Sequence, residues 1–459
     1  MTTGSSFVPS RPIERPLTEA ERTAYCMQCK LRPGKMERNG MYPFKTNPED
    51  AQWIEKARGL KAVFAQRARQ VDEAGGWPQQ NWRDIIDGGF LKLGVPREYG
   101  GYADEDAGFS NVCHAVVEIF ASACGSTGWI IQNQYHCLGL VAALGNEEQK
   151  RRILADVAKN GVGVASVGSE VQPGRSQVVP HKDGKISFAS DLTPTEGGFL
   201  ANGFKGFTSG GAASKYLLFW ALAPGTDDPD VGASVFVIEL PNPGVEFVSG
   251  WEEAIGIRAS LSGGAKFTNV FIPWKNVLGE PGDFNQSHPY TFELAYAAHS
   301  LGSAQGIYEE VRDAVATRAF LQQDDTNMYS LGEMASAIAA TRSQLWYAQH
   351  LYDQKIWGEA SHATLMGLHM AKTTVGLVST KAFEIVGTRA VFRWSSIPRL
   401  MRDARVATLH TRESMIMKTV AKTELSRDYH PKAKYGRRLP ESERKTWADL
   451  GFHFNLDAA

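Results

Sequence analysis

The sequence predicts a mainly α-helical protein with a β-domain at its centre. Three observations carry that expectation. Apolar residues recur every three or four positions before about Asn160 and again after Pro289. Between these regions, short runs rich in Gly, Val, Phe and Thr alternate with turn dipeptides. The chain is 459 residues long and 43% hydrophobic, enough to bury a large core divided among two or three domains.

The same composition excludes several classes. With 22% charged residues, 45 Gly and 21 Pro, the chain is neither disordered, collagen-like nor a disulfide scaffold. Lys plus Arg is 49 and Asp plus Glu is 50, a formal net charge of -1. No basic field is present to hold nucleic acid or an anionic membrane surface. The five cysteines, Cys26, Cys29, Cys113, Cys124 and Cys137, form an odd, irregular set that suits a reducing compartment. The N-terminus lacks the charged start and apolar core of a secretory signal, and no stretch approaches the roughly 18–20 apolar residues of a membrane span. A cytoplasmic location is expected.

In chain order, residues 1–48 are polar and proline-punctuated, and read as an extended arm. The lone Cys26-Met-Gln-Cys29 pair within it lacks the second pair that a zinc site needs. Residues 49–160 read as an N-terminal helical domain. Trp53, Ala57, Leu60, Val63 and Phe64 share one helical face, and Asn81–Gly89 forms a short helix. Pro96 and Gly100-Gly101 make a loop, and Val112–Ile119 and Trp129–Leu144 suit buried helices. Residues 161–285 read as a middle β-barrel or sandwich. Tyr216–Ala223 and Ser234–Leu240 are strand-like, and Asp183-Gly184, Gly197-Gly198, Asn202-Gly203 and Pro241–Gly244 are turn signals. Residues 286–428 read as a four-helix bundle. Leu294, Ala297, Leu301, Ala304, Ile307, Val311 and Val315 recur at helical spacing, as do Leu365, Leu368, Val375, Val378, Ala382 and Ile385. Residues 429–459 form a polar, irregular tail.

Motif searches narrow the chemistry. The chain has no phosphate-binding P-loop, no GxGxxG between a strand and a helix, no HExxH and no GxSxG. Its eleven histidines show no ligand spacing, so no catalytic metal is expected. Three segments rich in glycine and hydroxyls remain: Val164–Ser176, Asn202–Ala221 and Ala254–Pro273. They can be read as tight β-turns, or as a surface that hydrogen-bonds the edge of a flat heteroaromatic ring.

Taken together and in order, these segments resemble the acyl-CoA dehydrogenase superfamily. Pro96–Gly101 resembles the loop closing its N-terminal helical domain. Ser169-Glu170 with Gly174 resembles its first flavin-contacting segment, and Asn202-Gly203-x-Lys205-x-Phe207-Thr208-Ser209-Gly210 its second. Gly256-x-Arg258-x-Ser260-x-Ser262 resembles the turn that follows, and Arg402-Asp403-Ala404-Arg405 the arginine–aspartate signature of the last bundle helix. The resemblance covers about Glu49–Leu425 and implies an acyl-CoA dehydrogenase-like fold, usually a homotetramer, with flavin between the β-domain and the bundle.

Two departures set the branch. The carboxylate base of a dehydrogenase, expected shortly after Arg402-Asp403, is replaced by Thr411, and an alternative position early in the first bundle helix carries Phe292 with Glu293 beside it. The pyrophosphate motif reads Arg318-Ala-Phe320, followed by Asp324 and Asp325, which suits an adenine-bearing dinucleotide less well. These features, with Gly387-Thr388-Arg389, resemble the flavin monooxygenase branch, typified by dibenzothiophene monooxygenases. A further histidine expected in the helical domain aligns with Gln134, beside Asn133 and His136.

The resemblance implies the oxygenase component of a two-component monooxygenase. It would use reduced flavin (FMNH2 preferred, FADH2 as the alternative) and O2, through a C4a-hydroperoxyflavin, to oxygenate a small organic substrate. A separate NAD(P)H:flavin reductase would supply the flavin. Ser209 and His410 are the implied catalytic residues. Ser166, Ser169, Phe207, Thr208, Ser209, Arg258, Arg318, Gly387 and Arg389 are implied at the cofactor, and Asn133, Gln134, Phe292 and Glu293 at the substrate. Two other readings stand beside it: an FAD-dependent acyl-CoA dehydrogenase whose displaced base is Glu293, and an inactive oligomeric binding module of the same fold.

Overall fold

Residues 47–104, 107–170, 188–290 and 292–454 are described in a computed structural model of the chain. The arm, apart from its last two residues, lies outside the described residues, as do Cys26, Cys29, Gly174 and the Asp183-Gly184 turn. Gln52–Ala459 clusters as one compact unit, to which the packing below belongs.

Among the described residues, five α-helices come first: α1 (Pro48–Ala74), α2 (Gln79–Asp87), α3 (Asn111–Ala123), α4 (Gly125–Leu144) and α5 (Glu147–Asn160). The ends of α5 illustrate why they form where they do. Asn146 and Gln149 make a reciprocal capping box, Glu147 and Glu148 sit in the first turn, and Gly161 closes the helix in the left-handed region. The buried face of α1 is Ile54, Ala57, Phe64 and Ala68, so of the expected face Ala57 and Phe64 are buried while Trp53, Leu60 and Val63 are half-buried. Trp53 instead lies against the edges of Phe90 and Tyr102. Almost every residue of α4 is buried, and this helix runs through the middle of the domain junction.

The β-domain holds two four-stranded sheets. Strands β1 (Val164–Val167), β4 (Tyr216–Leu222), β5 (Ala233–Glu239) and β8 (Val277–Leu278) form one, in that order; β2 (Asp191–Thr195), β3 (Gly198–Lys205), β7 (Gly264–Pro273) and β6 (Val245–Val248) form the other. Among the described strands, only the β1–β4 pairing is parallel. Phe199, Phe219, Phe236 and Phe267 fill the core of this domain. Asn202-Gly203, expected as a turn, lies inside β3. The ladder to β7 slips a register there, and Gly203 adopts φ 151, where an added Cβ would meet Ser190 Oγ at 2.5 Å. The glycine makes a β-bulge rather than a reversal.

The bundle contains α6 (Glu293–Ala316), α7 (Asp325–Asp353), α8 (Trp357–Val386), α9 (Ile397–Thr408) and α10 (Glu413–Ser426). The fourth expected helix is thus two, interrupted at Leu409–Arg412. Every residue of the expected row Leu294 to Val315 on α6 is buried. Gly302 and Gly306, one turn apart, let α6 approach α3 so closely that an added Cβ would meet Glu118 O at 2.3 Å or Ser122 O at 2.2 Å. Beside this contact, Arg342 of α7 holds the buried Glu118 carboxylate at 2.5 Å. The described part of the C-terminal tail is irregular but packs on the rest of the chain. Trp447 is buried in the β-domain core, donates to Gly279 O, and has Phe454 nearby stacked on Trp274. Among the described residues, no helix is long and apolar enough to cross a membrane.

The α3–α6 contact yields a paired expectation. Gly306→Ala should lower stability by roughly 1–3 kcal/mol through overpacking. Gly332→Ala, in α7 with nothing within 4 Å of the new methyl, should raise it by about 0.5–1 kcal/mol. Thermal melting of the two variants checks both; equal shifts would show that α6 does not approach α3 so closely.

Candidate active site

The site is built on the segment Ala254–Gly263, which leaves the β-domain and returns to it. Its backbone is strained: Ile257 and Leu261 hold φ 43 and 44, unusual for branched side chains. Partners on all sides maintain this shape. Ile257 N–H donates to Asp403 Oδ1 at 2.7 Å, Ala259 N–H to Ser126 Oγ at 3.2 Å, and Leu261 N–H to Gly76 O at 3.2 Å. Arg258 donates to Glu252 O at 2.7 Å and Asp72 O at 2.8 Å. Gly256 allows the approach of α9, since a Cβ there would meet Arg402 O at 2.3 Å. Burial raises the Asp403 carboxyl to about 6, against the opposing pull of the Arg399 cation and the Ile257 N–H.

This segment delivers a line of hydroxyls. Ser260 Oγ lies 2.7 Å from Ser262 Oγ, which lies 2.7 Å from Ser209 Oγ. Trp129 Nε1 of α4 donates to Ser209 Oγ at 3.0 Å, and Asn133 Nδ2, one turn on, donates to Ser209 O at 2.9 Å. Two links use two of the three hydroxyl hydrogens. When Ser260 donates to Ser262 and Ser262 to Ser209, the Ser209 hydrogen is left for a ligand. The three glycine- and hydroxyl-rich segments therefore converge. Gly206 N–H bonds Ser169 O at 2.7 Å, Thr208 Oγ1 bonds Gly263 O at 2.7 Å, and Gly210 N–H bonds Ser260 O at 2.9 Å. Phe207 beside them is 38% exposed, and Ser169 is exposed too. Ser166 accepts from Trp220 Nε1 at 2.9 Å. An exposed aromatic face beside a hydroxyl-rich edge fits the ring of a flavin.

Opposite the serines stands an aromatic row. Trp129 stacks on Tyr296 with ring centres 5.5 Å apart, and Tyr296 is followed by Phe292 at 6.1 Å. His410 enters this row from the break between α9 and α10, where Lys372 donates to Thr411 O and anchors the loop. Its ring lies 5.2 Å from Trp129, and its Nε2 lies 2.8 Å from the Tyr296 hydroxyl. Burial keeps Tyr296 protonated, so it can donate to Nε2 and leave the imidazole hydrogen on Nδ1. Burial, then the Lys434 and Lys372 charges, push His410 down to about 4, with Glu293 opposing. His410 is nonetheless exposed, and contact with water opposes the burial effect. Both effects leave it neutral above pH 7.

Other expected residues fall elsewhere. Gln134 ties α4 to β1, accepting from Val164 N–H at 2.8 Å and donating to Val162 O. Arg318 precedes the short helix Ala319–Gln322, while Gly387 and Arg389 are exposed after α8; none makes a side-chain hydrogen bond to the serines. Asp324 caps α7, accepting from Thr326 N–H at 2.8 Å. Phe292 lies face to face with His136. Glu293 is fully buried, paired with Lys434 and accepting from Tyr435 OH at 2.8 Å. Burial raises its carboxyl, but the Lys434 charge and these hydrogen bonds outweigh that and hold it below its ordinary value. Sequence reasoning gave no role to Ser260 or Ser262 as a relay, nor to Lys434 and Tyr435. A usable signal was the spacing of Trp129, Asn133 and His136 on α4, opposite Phe292, just before α6, and Tyr296 and His299 on α6.

Comparison with known proteins bears on the family and the fold. Residues 47–161 match the acyl-CoA dehydrogenase N-terminal domain, and residues 294–414 the acyl-CoA dehydrogenase C-terminal domain. The chain is 29% identical over 404 residues to a dibenzothiophene monooxygenase of Rhodococcus qingshengii, covering 81% of this chain and 93% of the relative. It is 26% identical over 374 residues to a short-chain-specific acyl-CoA dehydrogenase of Clostridium acetobutylicum, covering 78% and 93%. The solved structure of FMN-bound TdsC from Paenibacillus sp. A11-2 superposes with a TM-score of 0.73 at 22% identity, over 84% of this chain and 100% of that one.

The raised Asp403 carboxyl carries an expectation with a sign. Between its unfolded pKa near 3.8 and its folded value near 6, the native state binds the extra proton, so this group's contribution falls as pH rises. The stability of the wild type minus that of Asp403→Asn should fall by roughly 2–3 kcal/mol across that window. Urea unfolding at stepped pH measures it, and parallel profiles would refute the assignment.

Proposed function

The chain belongs to the acyl-CoA dehydrogenase family, and on that premise we propose that it is the oxygenase component of a two-component flavin-dependent monooxygenase. The observation that carries this reading is the state of the carboxylate. Thr411 stands where a dehydrogenase of this family keeps its base, and a threonine hydroxyl cannot abstract the α-proton of a thioester. Glu293, the displaced candidate, is paired with Lys434 and Tyr435 and held below its ordinary pKa, the reverse of what a general base needs. The dibenzothiophene monooxygenase relative supports the same branch, and the dehydrogenase relative is why the carboxylate must decide.

Ser166, Ser169, Phe207, Thr208 and Ser209 hold the flavin ring in this reading, with Arg318, Gly387 and Arg389 assigned to its phosphate end. Arg258 serves the cofactor by keeping the Ala254–Gly263 segment in shape. FMN is preferred, as in the TdsC complex, over FAD. Reduced flavin, when bound, supplies the two electrons with which one atom of O2 enters the substrate and the other leaves as water. Ser209 donates its hydroxyl hydrogen toward the flavin edge. His410 presents Nδ1–H to the crevice, with its tautomer set by Tyr296. Trp129, Tyr296 and Phe292 exclude water from the reacting face. The absence of a nicotinamide motif calls for a separate NAD(P)H:flavin reductase, and a homotetramer belongs to the same proposal.

The test is an anaerobic mixture of protein with FMNH2, pulsed with O2 and followed by stopped-flow absorbance. A transient distinct from both reduced and oxidised flavin is expected. Ser209→Ala and His410→Ala should each shorten its lifetime roughly tenfold or more. Direct return to oxidised flavin in the wild type would overturn the proposal.

A further inference from the structure

The three serine hydroxyls can carry their hydrogens in more than one arrangement, and burial chooses among them. Ser209 Oγ meets the Trp129 indole at 3.0 Å and Ser262 Oγ at 2.7 Å, and Ser262 Oγ also meets Ser260 Oγ at 2.7 Å. Among the described residues, these hydroxyls have no further side-chain partner. An indole nitrogen only donates, so Trp129 fills one acceptor position of Ser209. The two hydroxyl–hydroxyl links consume two of the three hydroxyl hydrogens. The spare hydrogen can therefore rest on Ser260, on Ser262 or on Ser209.

Ser260 is 0% exposed and Ser262 is 2% exposed. A spare hydrogen on either would be a buried donor out of reach of water, which disfavours that arrangement roughly tenfold or more. Ser209 is half-buried, and its hydrogen can reach water or a ligand. Ser260 then donates to Ser262, and Ser262 donates to Ser209. The backbone keeps this line together. Leu261, at φ 44, stands between the two buried serines, and its N–H is held by Gly76 O at 3.2 Å. Thr208 Oγ1 donates to Gly263 O at 2.7 Å, and Gly210 N–H to Ser260 O at 2.9 Å, so both sides of Ser209 are clamped to the segment that carries Ser260 and Ser262.

We propose that Ser262, backed by Ser260, is a positioning residue that makes Ser209 a hydrogen donor only. With Trp129 and Ser262 both donating into it, Ser209 has both acceptor positions filled and can only give its own hydrogen. The site then selects a ring edge that presents a lone pair to Ser209 over one that presents a hydrogen. Polarisation along the line also makes Ser209 a stronger donor than an isolated serine. This inference rests on the proposed function for the flavin at Ser209, but the direction of the line belongs to the protein without flavin.

Nuclear magnetic resonance of the flavin-free, 15N-labelled full-length protein tests the direction through the indole proton of Trp129, assigned with Trp129→Phe. A hydroxyl that accepts from Ser262 is a poorer acceptor for the indole, and one that donates to Ser262 is a better one. Ser262→Ala should therefore move the Trp129 proton downfield. Ser260→Ala should move it the same way by less, because it weakens the Ser262 bond without removing it. An upfield shift, or none, in the folded variants would overturn the proposal. Titration with FMN tests the consequence. FMN should shift the same signal in the wild type, and Ser262→Ala and Ser260→Ala should bind FMN roughly two- to fivefold more weakly. Ser262→Thr, which restores the hydroxyl, should recover most of that loss. Unchanged FMN affinity in both alanine variants would overturn the positioning role. FMN that binds without moving the Trp129 proton would sink the placement of the flavin and leave the direction of the line standing. Melting curves identify a variant that fails to fold, and the two alanine variants read the direction independently.

Discussion

Asp403 holds three parts of this protein in register. Its carboxylate accepts the N–H of Ile257, a residue kept at positive φ, and so pins the Ala254–Gly263 segment of the β-domain to α9 of the bundle. The same segment reaches the N-terminal helices through Ser126 and Gly76. From it Ser260 and Ser262 run to Ser209, and Ser209 to Trp129. A shift at Asp403 would therefore be felt at the hydroxyl line, through a segment too strained to hold its shape without partners.

The second organising fact is the use made of the C-terminal tail. In a dehydrogenase, a buried glutamate beside the flavin would be chemistry. Here the tail brings Lys434 and Tyr435 to Glu293 and turns it into a structural anion. The same tail anchors itself on the β-domain through Trp447. One irregular stretch thus ties up the buried carboxylate and completes the core of the β-domain.

Much of this was legible in the sequence, for physical reasons. The apolar row on α6 and the run Tyr216–Ala223 needed only periodicity to be read, and the structure buries both. The convergence of the three glycine- and hydroxyl-rich segments followed from their resemblance to a known family, and hydrogen bonds such as Gly206 to Ser169 join them. What escaped was set by packing across long sequence distances. Asn202-Gly203 has the composition of a turn, but Ser190 packs against Gly203 and makes it a bulge. Arg258 is implied at the cofactor by the resemblance, yet its donors meet the carbonyls of Asp72 and Glu252. The pairing of Glu293 with Lys434 spans 141 residues, and nothing local in a polar tail announces it.

On the proposed reading, this member of the acyl-CoA dehydrogenase family lacks α-proton abstraction because Glu293, the carboxylate the sequence offers as a displaced base, is committed to Lys434. The most direct measurement is anaerobic addition of butyryl-CoA to the flavin-reconstituted protein, watching the visible flavin band. The account predicts that the band stays unbleached in the wild type. Bleaching of the wild-type flavin on the timescale of catalytic turnover would contradict it and make Glu293 a base.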